Sequence, residues 1–211
     1  MPPVVRPYRG ISADARVAAR RERLLEAGLD LLGEQGIAGV TMSGTCRRAR
    51  LTDRYFYESF RNRDELLLAM LARSVETVNA RIAAAATTAG ADPQARLRAA
   101  LAAGMELLTD DPRQARAFLE ASADPSLRAP MTAALGAYAR AVAHELGGAR
   151  PRSAQDTTRL ELAATILVSG IARVAESWLQ GTLDIPRDEL IDECAHLYEA
   201  AASSINARSS D

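Results

Sequence analysis

RLTDRYFYESFRNRDEL, Arg50 to Leu66, carries four of the chain's nine aromatic residues, Tyr55, Phe56, Tyr57 and Phe60, within six positions and among arginines. Phe56 and Phe60 are four apart, so on a helix they share a face and can anchor it to its neighbours. Arg54, Tyr55 and Ser59 then face away from that anchor, Tyr57 sits at its rim, and Thr52 stands where a cap is wanted. Upstream, Thr41 can cap a short helix from about Met42 to Ala49, separated by only Arg50 and Leu51 from a second running from Thr52 to about Phe60. Two short helices on a tight turn have the shape of a helix-turn-helix. In a major groove, the second helix would offer N–H groups to phosphate and its first side chains to base edges. The planar fork of Arg54 suits guanine O6 and N7, and Arg63, opening the next helix, is placed for a phosphate.

Outward from this stretch the spacing stays helical, with no alternating strand pattern. Ser12 can cap a first helix with Val17, Leu24, Gly28, Leu31 and Leu32 on one face, and Gly36 supplies the left-handed residue that ends it. A long helix begins near Arg63 and fades into ATTAGADP. Breaks at DDP (Asp110 to Pro112), ADPS (Ala123 to Ser126), GGARPRS (Gly147 to Ser153) and GTLDIP (Gly181 to Pro186) punctuate five more, about nine helices in all. The fold expected is all-α, with a helix-turn-helix domain over 12–62 and a ligand-binding and dimerisation domain over 63–207. Leu160, Ala163, Ile166, Leu167, Ile171, Val174 and Trp178 give the eighth helix a face too broad for one seam; Leu190, Cys194, Leu197, Ala201 and Ile205 line the ninth. Those two helices can form either plain core or half of a four-helix dimer bundle.

The formal net charge of -1 hides an asymmetry: residues 1–63 hold 12 Arg against 7 Asp and Glu, and the remainder 14 Arg against 20. A basic third on an acidic body suits a polyanion at one end only. There is no Lys among the 26 basic residues, which codon bias in a GC-rich genome explains without function. Cys46 and Cys194 are far apart and fit no metal spacing, and the start MPPVVRPYRGISADAR has no signal-peptide core. The longest apolar run, Leu162 to Ala172, is too short to span a bilayer. These features predict a soluble cytoplasmic protein without a membrane partner.

From about Arg20 to Leu67 the residues resemble the DNA-binding domain of the tetracycline-repressor (TetR) family of bacterial transcriptional regulators. The resemblance rests on LLEAGLDLLGEQG, Thr41, LTDRYFYESF, Arg63 and DELL. Beyond this third of the chain it covers only helix number, length and order. It implies DNA contacts at Thr41, Ser43, Arg54, Tyr55, Tyr57, Ser59 and Arg63. It also implies a homodimer through the last two helices and an effector pocket within the fourth to eighth helices, where Phe118, Tyr138, His144 and Trp178 are candidates and Glu120 and Glu176 could orient a polar ligand. Effector binding would misplace recognition helices that must match major grooves about 34 Å apart. No cofactor is implied.

The chain departs from the family pattern where the turn's usual Gly is Arg50, which would have to adopt a left-handed conformation at a cost on the order of 1 kcal/mol. Gly44 adds a similar penalty inside a short helix, so the second helix is expected to be short or weakly stable.

Three other readings compete. Glu193 and His196 form Glu-x-x-His, found in di-metal bundles, but those need two copies and further carboxylates, so a metal or ligand-binding helical enzyme is the runner-up. Cys46, near Arg47 and Arg48, could be a low-pKa redox thiol or simply a small buried residue. Arg6 and Arg9 could track phosphates from an N-terminal arm.

Overall fold

The computed structural model describes residues 12–147 and 154–208, and every regular element among them is helical. Arg6, Arg9 and most of the GGARPRS break lie outside the described residues. The helices are α1 (Ala13–Gln35), α2 (Met42–Ala49), α3 (Asp53–Ser59), α4 (Arg63–Thr88), α5 (Pro93–Asp110), α6 (Pro112–Ala123), α7 (Pro125–Gly147), α8 (Ala154–Leu179) and α9 (Arg187–Arg208). A 3-10 turn at Ile37–Gly39, with no counterpart in the expected elements, joins α1 to α2.

The ends of these helices follow from their residues. Ser12 Oγ accepts the Ala15 N–H at 3.1 Å, leaving one fewer unpaired donor at the start of α1. Gly36 ends it with φ 75° and ψ -178°, an extended positive-φ geometry rather than the expected left-handed helical one. That region is open essentially to glycine alone. Asp92 caps α5 through the N–H groups of Gln94 and Ala95, with Pro93 at the first turn where no N–H is needed.

Packing divides the chain into two compact units: residues through Ser74 together with Pro112–Leu127, and Val75–Asp111 together with the residues from Arg128 onward. The first is built on Leu24, Leu25, Phe56, Phe60, Leu66 and Leu67, all fully buried. α6 belongs to this unit although it lies far along the chain from the 62/63 boundary. Arg113 bonds Glu26 at 2.7 Å and Asp30 at 2.5 Å, Arg116 donates to the Gly33 carbonyl at 3.1 Å, and Glu120 accepts the Ile37 N–H.

In the second unit Ala139 and Ala143 of α7 pack with Leu160 and Ala164 of α8, joined by Val142, Val168 and Tyr198. The α8 end is closed by Gly181 N–H to the Trp178 carbonyl and Thr182 N–H to the Ser177 carbonyl, both 3.0 Å. Trp178 Nε1 donates to the Ile185 carbonyl at 2.9 Å, fixing the turn into α9.

The run Leu162–Ala172 alone is too short to span a bilayer, while the whole of α8, 26 residues with a window of mean hydropathy 1.4, meets the length and composition of a membrane span, a test that the core helices of soluble proteins also pass. Only 11% of that window is buried, and Leu162 and Ile166 are 61% and 63% exposed on a single face. On α9, Leu197 is likewise exposed.

Candidate nucleic-acid interface

The turn between α2 and α3 is closed by two hydrogen bonds: Leu51 N–H reaches the Cys46 carbonyl at 2.9 Å and Arg50 N–H the Arg47 carbonyl at 3.2 Å. This is the pairing that ends α8 around Gly181, and it requires a left-handed residue at the pivot. Here the pivot is Arg50, at φ 53° and ψ 46°, the single non-glycine residue with positive φ among those described. The strain expected at this position is therefore present, on the order of 1 kcal/mol relative to glycine. α2 nevertheless runs over all eight residues from Met42 to Ala49. The carbonyl of its last residue, Ala49, accepts a bond from Arg23 Nη2 of α1.

The other end of α2 explains Gly44. Thr41 Oγ1 accepts the Gly44 N–H at 3.1 Å, and a Cβ on residue 44 would stand 2.8 Å from that same oxygen. Glycine here keeps the cap closed, so its propensity cost is offset where it arises. The Thr41 hydroxyl has accepted one bond and still has its O–H to donate to a phosphate. Ser43 is exposed beside it.

α3 is held from below by Phe56 and Phe60, whose ring centroids are 5.7 Å apart, with Tyr57 edge-on to Phe56 at 5.9 Å. Arg21 lies over the Phe60 ring at 4.7 Å. Above the anchor, Arg54 is 83% exposed and bonds Glu58 at 3.2 Å, while Tyr57 is 60% exposed. Tyr55 is half-buried beneath the Arg20 guanidinium, 4.4 Å from its ring centre, and Arg20 also bonds Glu58 at 3.2 Å. Glu58, which sequence spacing did not single out, thus ties the candidate base reader to α1. An i,i+4 pair of this kind contributes only about 0.3–0.5 kcal/mol, so Arg54 can exchange it for a base edge. Ser59, half-buried, is the last residue of α3. Thr52 occupies the cap position, but its hydroxyl makes no capping bond, contrary to expectation.

Arg63, expected beside a phosphate, is bonded within the fold. Its Nε donates to the Val40 carbonyl at 2.6 Å and its Nη2 to the Ile37 carbonyl at 2.5 Å. Two arms of the fork are spent on backbone, so Arg63 positions α2 through the segment leading into it. Its remaining arm stands 3.9 Å from Asp64.

Cys46 is buried in α2, and its thiol is pushed up to about 11 by burial first, then by the neighbouring Asp53 carboxylate. Of the two readings of Cys46, the small buried residue fits better than the low-pKa thiol: burial and Asp53 outweigh Arg47 and Arg48, and a thiol of this kind is a poor nucleophile at neutral pH. Next to it Thr45 is wholly buried, and its hydroxyl has no partner among the described residues.

The candidate pocket residues do not share a unit. Phe118 belongs to α6 in the first; Tyr138, His144 and Trp178 lie in the second. His144 is exposed, Trp178 spends its N–H on Ile185, and the Tyr138 hydroxyl is buried without a partner among the described residues, its pKa pushed up to about 12 by burial. Glu120 is engaged by Arg116 at 2.9 Å and by Ile37, and Glu176 by Arg173 at 2.7 Å. A cleft of about 430 Å³ between α5 and α9, bordered by Asp92, Arg98, Asp192, His196 and Glu199, is lined by none of the four. Among the described residues no three His, Cys, Asp or Glu side chains converge to hold a metal, and Glu193 and His196 remain a lone pair on α9.

Residues 24–70 match the family model of bacterial regulatory proteins of the tetR family. Over 62 residues the chain is 42% identical to an uncharacterized HTH-type transcriptional regulator, YxbF, of Bacillus subtilis (strain 168), a match spanning 29% of this chain and 16% of that protein. In fold it is similar to a transcriptional regulator from Pseudomonas aeruginosa PAO1, with a TM-score of 0.72, 17% identity and coverage of 94% of this chain and 100% of that one. A tetR-family transcriptional regulator from Streptomyces coelicolor gives a TM-score of 0.69 at 20% identity over 90% and 83% of the two chains.

Proposed function

Because the chain belongs, through its N-terminal domain, to the tetR family of bacterial regulatory proteins, we propose that it is a DNA-binding transcriptional regulator, a repressor released from its operator by a small molecule. The observation that carries this reading is α3 itself. A seven-residue helix has its two phenylalanines sunk in the core while Arg54 and Tyr57 stand out in solvent. Thr41 and Ser43 border it from the start of α2, and Tyr55 and Ser59 complete the reading face. In this reading residues 12–62 contact DNA and 63–207 bind effector and partner.

The partner is a second copy of the chain, meeting it through α8 and α9. Leu162, Ile166 and Leu197 support this, since exposed apolar side chains on one face of a helix call for a cover. The same surface could meet lipid instead, and partition of the purified chain into vesicles would favour that outcome over cytoplasmic dimers. Of the four pocket candidates, Tyr138 has the strongest support, because a buried hydroxyl without a partner is a ready contact for a polar ligand group. The enzyme alternative draws no comparable support: among the described residues Glu193 and His196 are not joined by the further ligands a metal centre needs. A gel shift on the DNA flanking the chain's own gene tests the proposal. Retarded duplex, released by a compound that raises the protein's melting temperature, is the expected result; no retardation at low salt would refute it.

A further inference from the structure

The arginines from Arg20 to Arg63 fall into two groups. Arg20, Arg23, Arg48, Arg54 and Arg63 are each bonded to a carboxylate or a backbone carbonyl of the first unit, and Arg21 covers Phe60. Arg47, Arg50 and Arg61 are exposed, and among the described residues their side chains have no hydrogen bond, ion pair or ring contact. Arg47 has a local use, since a cation in the last turn of α2 complements the helix dipole. Arg50 has none. It lies past the helix end and takes the strained left-handed conformation that glycine takes at the matching position after α8; its backbone N–H closes the turn, but its side chain makes no bond among the described residues.

We infer that Arg50 is a phosphate-binding residue of the DNA interface, acting with Arg47 three positions earlier on the same end of α2; the inference rests on the DNA-binding reading. Backbone strain at an exposed, unpartnered cation is maintained where the side chain serves a ligand outside the fold. The ligand chemistry is the phosphodiester backbone, since a lone guanidinium at a turn recognises charge without demanding a base. With Arg63 bound to carbonyls, these two groups supply the phosphate anchoring beside α2.

The test compares wild type, Arg50→Gly, Arg50→Lys and Arg47→Ala. Affinity is measured across a salt series on two probes, the duplex upstream of the chain's own gene and a random-sequence duplex. Arg50→Gly relieves the backbone and should melt no lower than wild type, yet lose affinity on both duplexes alike. Its slope of log affinity against log salt should fall by about 0.9, the value for one released counterion. Arg47→Ala should do the same, and Arg50→Lys, which keeps the charge, should keep the slope. Wild-type binding with an unchanged slope in Arg50→Gly would overturn the inference and leave the DNA reading intact. Failure of wild type to bind either duplex would overturn the reading, and the inference with it.

Discussion

Arg63, the first residue of α4, donates Nε to the carbonyl of Val40 at 2.6 Å, and this bond holds the residue that immediately precedes the α2 cap Thr41. With the second bond to Ile37, it makes Arg63 part of the frame that sets the attitude of the helix-turn-helix. Arg63→Ala should lower stability by about 1.5–3 kcal/mol, the range for charged hydrogen bonds. Arg63→Lys should recover little of it, because an ammonium cannot reproduce the two-armed fork. Denaturant unfolding checks both; a neutral effect on stability, with binding lost, would return Arg63 to the phosphates.

Gly36 joins two requirements in one position: φ of 75° with ψ near 180°, and a Cβ site 2.6 Å from Glu120 Oε1. Gly36→Ala should therefore destabilise the first unit by about 1–3 kcal/mol and loosen the bond from the Ile37 N–H to Glu120. Hydrogen exchange at Ile37 and thermal unfolding report the two effects separately.

Cys46 gives the fold an alkaline limit. The thiol ionises at roughly 8.5 in an unfolded chain but is pushed up to about 11 in the fold, by burial and then by Asp53. Its neutral form is favoured on folding, so this contribution to stability is complete below the unfolded pKa and is lost as pH rises through about 11. Cys46→Ala should flatten the loss, and alkylation of native wild-type protein at neutral pH should be slow at this residue. Rapid modification, or peroxide-sensitive DNA binding that Cys46→Ala abolishes, would restore the redox alternative.

Leu162 and Ile166 project from one face of α8 at 61% and 63% exposure. If a second copy covers them, Ile166→Glu should convert the dimer to a monomer in light scattering while leaving helical content unchanged. An unaltered mass would place the interface elsewhere.

Much of this architecture was legible because the residues that end helices act locally. Ser12, Gly36, Thr41, Asp92 with Pro93, and Gly181 each mark a boundary within one turn of where it falls, and the four-residue spacing of Phe56 and Phe60 identifies the buried face of α3. Arg50 could be assigned its left-handed backbone for the same reason: the pivot between two helices two residues apart has few geometries open to it. The partners of the long arginines were not legible. Arg63 reaches Val40, Arg20 reaches Glu58 and Arg116 reaches Gly33 across 23, 38 and 83 positions. A guanidinium presents the same five donors to a carbonyl, a carboxylate or a phosphate. Helical spacing reports which side chains share a face, not which distant group a flexible one will find. Trp178 is a related case: its ring suits a pocket wall, and the carbonyl seven residues on that takes its N–H was not readable from spacing.

The central claim is that α3 reads base sequence through Arg54, which stands free of the fold apart from one weak pair with Glu58. The direct measurement is a competition binding assay at fixed salt, with wild type and Arg54→Ala, against every single-base variant of the duplex protected upstream of the chain's own gene. Arg54→Ala should leave folding stability within about 0.5 kcal/mol of wild type and remove about 1–3 kcal/mol of discrimination at one guanine position, with the remaining positions unchanged. Equal discrimination by the two proteins at every position would contradict the account.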